Sequence, residues 1–90
     1  MGVTTDTKWE ANALARYQGM VKKMPLFHRE IAKQVVDKKA IELAKTRGSA
    51  QVEADDIVQA FFSEVPMTFY SLMIRLLDEA GFDYKKYERK

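Results

Sequence analysis

Residues 25–29 hold the groups of this chain most suited to chemistry, its single histidine and an arginine, beside a proline and a phenylalanine. An imidazole can bind a metal ion or transfer a proton, and a guanidinium can bind a carboxylate or a phosphate. His28 has no second histidine and no cysteine to share a metal with. A transition-metal site would therefore need carboxylates from elsewhere in the fold or from another chain, and we predict no metal site.

Asp55 and Asp56 are the other candidates for chemistry. Adjacent residues on a helix point about 100° apart, so these carboxylates do not form an acid–base pair. They suit the positive end of the dipole of a helix that begins there. Because a glycine-rich phosphate loop and a nucleophile elbow are also missing from the sequence, we predict no catalytic residue, no cofactor and no enzymatic activity for the chain on its own.

The composition sets limits on the class of protein. The 90 residues, 47% apolar and 31% charged, are typical of one soluble globular domain. The lack of cysteine excludes disulfides, cysteine-ligated metal and thiol catalysis. No window of the sequence resembles a secretory signal or a membrane span, so we predict a cytoplasmic protein.

The net charge of +2 is unevenly distributed. Residues 8–47 hold 10 basic and 4 acidic side chains, residues 48–84 hold 1 and 7, and residues 85–90 hold 4 and 1. Solvated helix faces carry such charge routinely, but the asymmetry can also orient a partner. Nucleic-acid binders usually show a larger basic excess.

The spacing of apolar residues predicts an all-α fold, a compact bundle of about four helices with a long helix 1–helix 2 hairpin. A capping box of Thr7 and Glu10 predicts the start of the first helix, with Trp9 in the core. Pro25 ends that helix and opens a second one, which Gly48 ends. A third helix is predicted over residues 54–63. We divide the chain into a disordered start over residues 1–7, one helical domain over residues 8–84 and a basic tail over residues 85–90.

A fourth helix is predicted over residues 67–80, with apolar side chains nearly all round. Such a helix must be buried on most sides. We therefore expect it to lie centrally or to pack against a second copy of the chain. The candidate residues for self-association are Phe69, Met73, Ile74 and Leu77.

The turn between the first two helices is the predicted partner surface. Arg29 lies at a helix start, where its charge opposes the dipole, so an acidic side chain, a cluster of carbonyls or a partner must hold it. The basic residues around it complete the candidate surface, which consists of Arg29, His28, Lys22, Lys23 and Lys33. The residues predicted to build the corner and the core beneath it are Trp9, Pro25, Phe27 and Gly48.

The pattern W…PLFHR…AKTRGSAQVEADDIVQA resembles the small C-terminal domain of the B subunit of light-independent protochlorophyllide reductase. The resemblance covers residues 9–60 and leaves the apolar helix over residues 67–80 as an addition. The matching positions are Trp9, Pro25, Phe27, Arg29, Ala44, Gly48, Val52, Asp55 and Ala60.

The resemblance implies a helical interaction or accessory module that works with a protein partner, and the partner it suggests is a nitrogenase-like reductase subunit. In that family the active-site groups lie in the main body of the subunit, so the resemblance implies no activity for this chain. The alternative is a histone-fold-like DNA-binding protein, since VEADDIVQA is similar to the third helix of a histone fold. Its basic side chains would then contact phosphates.

Overall fold

Short turns built on proline and glycine join the helices of this chain. The computed structural model describes residues 8–87. Within them the elements are β1 (Lys8–Trp9), α1 (Ala11–Lys23), α2 (Leu26–Thr46), β2 (Gln51–Val52), α3 (Ala54–Glu64), a 3-10 turn (Met67–Phe69), α4 (Tyr70–Ala80) and a second 3-10 turn (Lys85–Tyr87). The predicted all-α bundle is confirmed. The predicted disordered start, including Thr7, lies outside the described residues, as do residues 88–90 of the predicted tail.

Two very short strands, β1 and β2, pair in parallel and fix where α1 begins. The amide of Lys8 donates to the carbonyl oxygen of Ala50 at 3.2 Å, and that of Glu10 donates to Val52 at 2.8 Å. Glu10 is the N-cap of α1, and its carboxylate accepts from the amide of Ala13 at 2.7 Å. The first helix therefore starts after Trp9, later than the sequence predicts, because pairing with β2 holds residues 8–9 extended.

The helix ends predicted from proline and glycine are confirmed. Pro25 is the N-cap of α2, and its carbonyl oxygen accepts from the amides of His28 at 3.0 Å and Arg29 at 2.9 Å. At the other end of this 21-residue helix, Gly48 adopts φ +81°. That left-handed conformation costs a residue with a Cβ about 1–2 kcal/mol, which explains the glycine.

The core is formed mainly where α2 packs on α3 and where α1 packs on α4. One row of α2, spaced by four residues, is fully buried: Val36, Ala40 and Ala44. The small side chains of this row let α3 approach closely. Phe61 of α3 is 1% exposed and lies in the core. The segment after α4 closes the other side, since Phe82 donates its amide to Leu77 at 3.0 Å and is itself buried.

The helix predicted over residues 67–80 differs from the expectation in two ways. Its first three residues form the 3-10 turn, so α4 itself begins at Tyr70. Its apolar side chains are covered largely by the chain itself: Leu77 is fully buried and Met73 is 4% exposed. The prediction that Leu77 and Met73 offer a self-association surface is therefore wrong, because α1 and the segment after α4 already cover that face.

The described part of the predicted basic tail packs on α3. Asp55 accepts a hydrogen bond from the hydroxyl of Tyr87 at 2.7 Å, and its carboxylate lies 3.1 Å from the ammonium of Lys86. The ring of Tyr87 lies 5.9 Å from that of Phe62. Among the described residues, none of the helices is both long and apolar enough to cross a membrane.

Candidate functional site

An apolar cleft of about 340 Å³ opens beside the turn between α1 and α2. One wall is the first half of α2, with Phe27, Ile31 and Val35, and the facing wall is the segment after α3, including Phe69. Buried side chains such as Phe61 form its floor. We call this cleft the corner groove. It has the size and apolar lining that are typical of binding sites.

Five large apolar side chains of the described residues are exposed. They are Leu26 (71% exposed), Phe27 (72%), Ile31 (58%), Val35 (39%) and Met67 (65%). Phe27, Ile31 and Val35 line this groove, and Leu26 and Met67 are next in the sequence to residues that line it. Scattered exposed apolar residues need no explanation, but a contiguous apolar patch marks an interaction surface. Covering each of these side chains would contribute about 1.5–3 kcal/mol at most.

The sequence pattern of α2 explains why these side chains remain outside the core. Phe27, Ile31 and Val35 are spaced by four residues and form one row, whereas the buried row runs through Val36 and Ala40. Neighbouring rows lie about 100° apart on a helix. The two rows looked like a single broad apolar stripe in the sequence, yet only the second one faces α3.

His28 lies in the wall of the corner groove between two aromatic rings. Its ring centroid is 4.7 Å from that of Phe27 and 4.7 Å from that of Phe69. The prediction that Phe27 anchors the corner in the core is wrong, because its row points away from α3 and it is among the most exposed apolar residues. Phe69, predicted for self-association, does line the groove. Ile74 is half-buried on α4.

Arg29 is held by the end of α1. Its Nε donates to the carbonyl oxygen of Val21 at 3.0 Å, and its Nη2 donates to those of Lys22 at 2.9 Å and Met24 at 3.1 Å. The carbonyl oxygen of Val21 also accepts from the amide of Met24 at 3.1 Å. Because the last carbonyls of a helix lack partners within it, Arg29 acts as a cap for this end of α1. Of the three possible holders, the structure shows the carbonyl cluster. A role of Arg29 toward a partner stays a prediction.

The other basic residues of the predicted partner surface do not gather around Arg29. Lys23 pairs with Glu79 at 3.1 Å across to α4, and Lys33 pairs with Asp37 at 3.3 Å along α2. Lys22 and Lys33 border a second, more polar cleft, away from the corner groove. The structure therefore divides the predicted surface, with His28 in the apolar groove and the lysines elsewhere.

Trp9 and Tyr17 also line that second cleft. Their rings are parallel, with centroids 5.6 Å apart, and Tyr17 meets Phe61 edge-on at 5.8 Å. The hydroxyl of Tyr17 donates to Asp37. Burial raises the pKa of Tyr17 well above its ordinary value, and the hydrogen bond to Asp37 and the negative charge of that carboxylate raise it further. Trp9, predicted for the core, packs against it while remaining half-buried.

A comparison with known protein families assigns this chain to one of them. A family model described as "Protein of unknown function (DUF2621)" matches residues 3–90. The chain therefore belongs to the DUF2621 family. Comparisons with curated proteins and with solved structures found no match.

The resemblance to the C-terminal domain of the protochlorophyllide reductase B subunit is wrong. The DUF2621 match covers the whole segment on which the resemblance depends, and nothing in the comparisons indicates the reductase domain. The shared positions explain the error. Pro25 opens a helix and Gly48 ends one, and unrelated helical proteins use these residues in the same places. The nitrogenase-like partner, which depended on this resemblance, loses its basis.

Proposed function

We propose that the chain is a non-catalytic protein-interaction module that binds a second copy of itself through the corner groove. The observation that supports this proposal most is the concentration of exposed large apolar side chains around that groove. The predicted role of Phe69 in self-association is retained, whereas the roles of Met73 and Leu77 are not.

A second copy fits the groove for two reasons. The same chain carries both an apolar cleft and an exposed apolar row beside it, which is what a self-complementary surface requires. The ionisable residues among its lining side chains are His28 and Glu64. Two identical surfaces can therefore meet with little repulsion between like charges.

The exposed area indicates how strong the association should be. The exposed parts of the five apolar side chains amount to on the order of 500 Å² per copy, taking about 150–250 Å² for a large side chain. Two copies would then bury roughly 1,000 Å² in total, slightly below the range of stable interfaces. We therefore expect a dissociation constant in the micromolar range.

Sedimentation equilibrium on the wild-type chain tests the proposal. The protein should shift from a mass of 10.4 kDa toward twice that value as its concentration rises from about 10 μM to about 1 mM. A mass that stays at 10.4 kDa over this range contradicts it. Measuring at low and high salt adds a check, since an apolar interface should weaken little with salt.

DNA binding is the alternative function, and the geometry supports it less. Lys23 and Lys33, two of the cations that would contact phosphates, are paired with Glu79 and Asp37. A gel-shift titration tests this alternative, because phosphate binding would weaken steeply with salt. The cytoplasmic location stays a prediction from the sequence.

A further inference from the structure

The exposed row on α2 has a shape that can pair with itself. Phe27, Ile31 and Val35 lie one helical turn apart, so the row is about 12 Å long. Ile31 is at its centre, with the larger Phe27 at one end and the smaller Val35 at the other. If two such rows lie antiparallel, each Phe27 meets a Val35 and the two Ile31 side chains meet each other.

The corner groove leaves room for such a row. It runs between the row on α2 and the wall formed by Val65, Pro66 and Phe69. Met67, 65% exposed, follows Pro66 in the chain. One side of a row from a second copy would contact the row of the first copy. Its other side would contact this wall, so the inserted row would pack as a ridge in a groove, as in packed helices.

We propose that the two copies pair about a two-fold axis at Ile31, with their α2 helices antiparallel and each row inserted into the other copy's corner groove. This arrangement rests on the proposed self-association and specifies its geometry. Rows spaced by four residues that interdigitate give a crossing angle of about −50°. The contact is isologous, so it closes at two copies and does not continue into a filament.

The lack of cysteine in the natural chain makes disulfide trapping a direct test. A cysteine can link to its own copy only if the two Cβ atoms lie about 3.5–4.5 Å apart, which requires a position near the axis. The Ile31→Cys variant meets this requirement. Position 27 is more exposed than position 31, but it lies one turn, about 6 Å, from the axis. The two cysteines of a Phe27→Cys dimer would therefore lie about 12 Å apart, too far to link.

Under mild oxidation at concentrations where the wild type associates, Ile31→Cys should form a disulfide-linked dimer at least tenfold faster than Phe27→Cys on a non-reducing gel. A mixture of Phe27→Cys with Val35→Cys should give the mixed dimer in preference to either self-linked one. All three variants change exposed positions, and circular dichroism would verify that each remains helical.

The outcomes separate the geometry from the proposed function. Equal linkage of Phe27→Cys and Ile31→Cys, or a mixed pair that links no better than chance, overturns the two-fold axis at Ile31. If reduced Ile31→Cys sediments as a dimer but does not link, the axis is wrong and the self-association stands. If the wild type sediments as a monomer throughout, both proposals fail.

Discussion

The guanidinium of Arg47, which follows α2, donates two hydrogen bonds to the carboxylate of Asp56 in the first turn of α3. The Asp56 side chain is only 4% exposed, and it also accepts from the amide of Glu53 at 2.9 Å. The ion pair therefore connects the end of α2 to the start of α3, across the segment that contains β2. It also raises the pKa of the Arg47 guanidinium, first through the hydrogen bond to Asp56.

Arg47→Ala should lower the free energy of unfolding, because it leaves the Asp56 carboxylate, which is 4% exposed, without its cation. Arg47→Lys should have a smaller effect, since an ammonium keeps the charge but cannot donate the same two-pronged pair of bonds. Urea unfolding measures both. An Arg47→Ala protein that unfolds at the same urea concentration as wild type would show that the pair contributes little to stability.

Arg29→Ala should lower the free energy of unfolding by about 1–2 kcal/mol, because the carbonyl oxygens of Lys22 and Met24 lose the guanidinium as donor and that of Val21 keeps only the amide of Met24. The dimer dissociation constant should change by less than about twofold, since those bonds lie within one chain. Arg29→Lys, which cannot span the three carbonyls, should be nearly as unstable. If Arg29→Ala weakened association while leaving urea unfolding unchanged, the residue would belong to the partner surface instead.

Leu77→Ala should lower the free energy of unfolding by about 2–5 kcal/mol, the range for a leucine truncated to alanine in a packed core. Ser71→Ala, on the exposed side of the same helix, is the matched control and should stay within about 0.5 kcal/mol of wild type. Thermal or urea unfolding checks the pair. A small loss for Leu77→Ala would indicate that α4 is less tightly packed than the structure shows.

Tyr17→Phe should be less stable than the wild type by about 1 kcal/mol at pH 8, since the hydrogen bond to Asp37 is lost. The raised pKa of Tyr17 in the folded chain means that its hydroxyl stays protonated when the unfolded chain ionises near pH 10. The contribution of Tyr17 to the free energy of unfolding is therefore fully present below pH 10. It falls as the pH rises further, by about 1.4 kcal/mol per pH unit.

The difference between Tyr17→Phe and wild type should accordingly shrink by about 1 kcal/mol between pH 9 and pH 11. Comparing the two proteins by urea unfolding at each pH removes the effects of the lysines and the other tyrosines, which both share. A difference that stays constant up to pH 11 would show that Tyr17 ionises as readily in the folded chain as in the unfolded one.

The features that the sequence predicts well are local. Proline and glycine act on their own backbone, so Pro25 and Gly48 fix helix ends whatever surrounds them. The sequence also predicts that the adjacent carboxylates of Asp55 and Asp56 do not act as a pair. In the structure they bind different partners, Tyr87 and Arg47 respectively.

The features that the sequence missed depend on contacts between distant segments. Trp9 pairs with Val52 across the chain, and strands of two residues are too short to show alternation. Which row of α2 faces α3 depends on the neighbouring helix, so Phe27 looked like a core residue. Both apolar rows at four-residue spacing are visible in the sequence, but the packing of α3 decides which one is buried.

The most direct test of the central claim compares Phe27→Asp with Ser71→Asp by sedimentation equilibrium. Both variants add one negative charge at an exposed position, but only the first lies at the corner groove. We expect a dissociation constant at least tenfold higher for Phe27→Asp, equivalent to about 1.4 kcal/mol. Ser71→Asp should have the same dissociation constant as wild type, and all three proteins should be equally stable. Equal dissociation constants for the three proteins would contradict self-association through the corner groove.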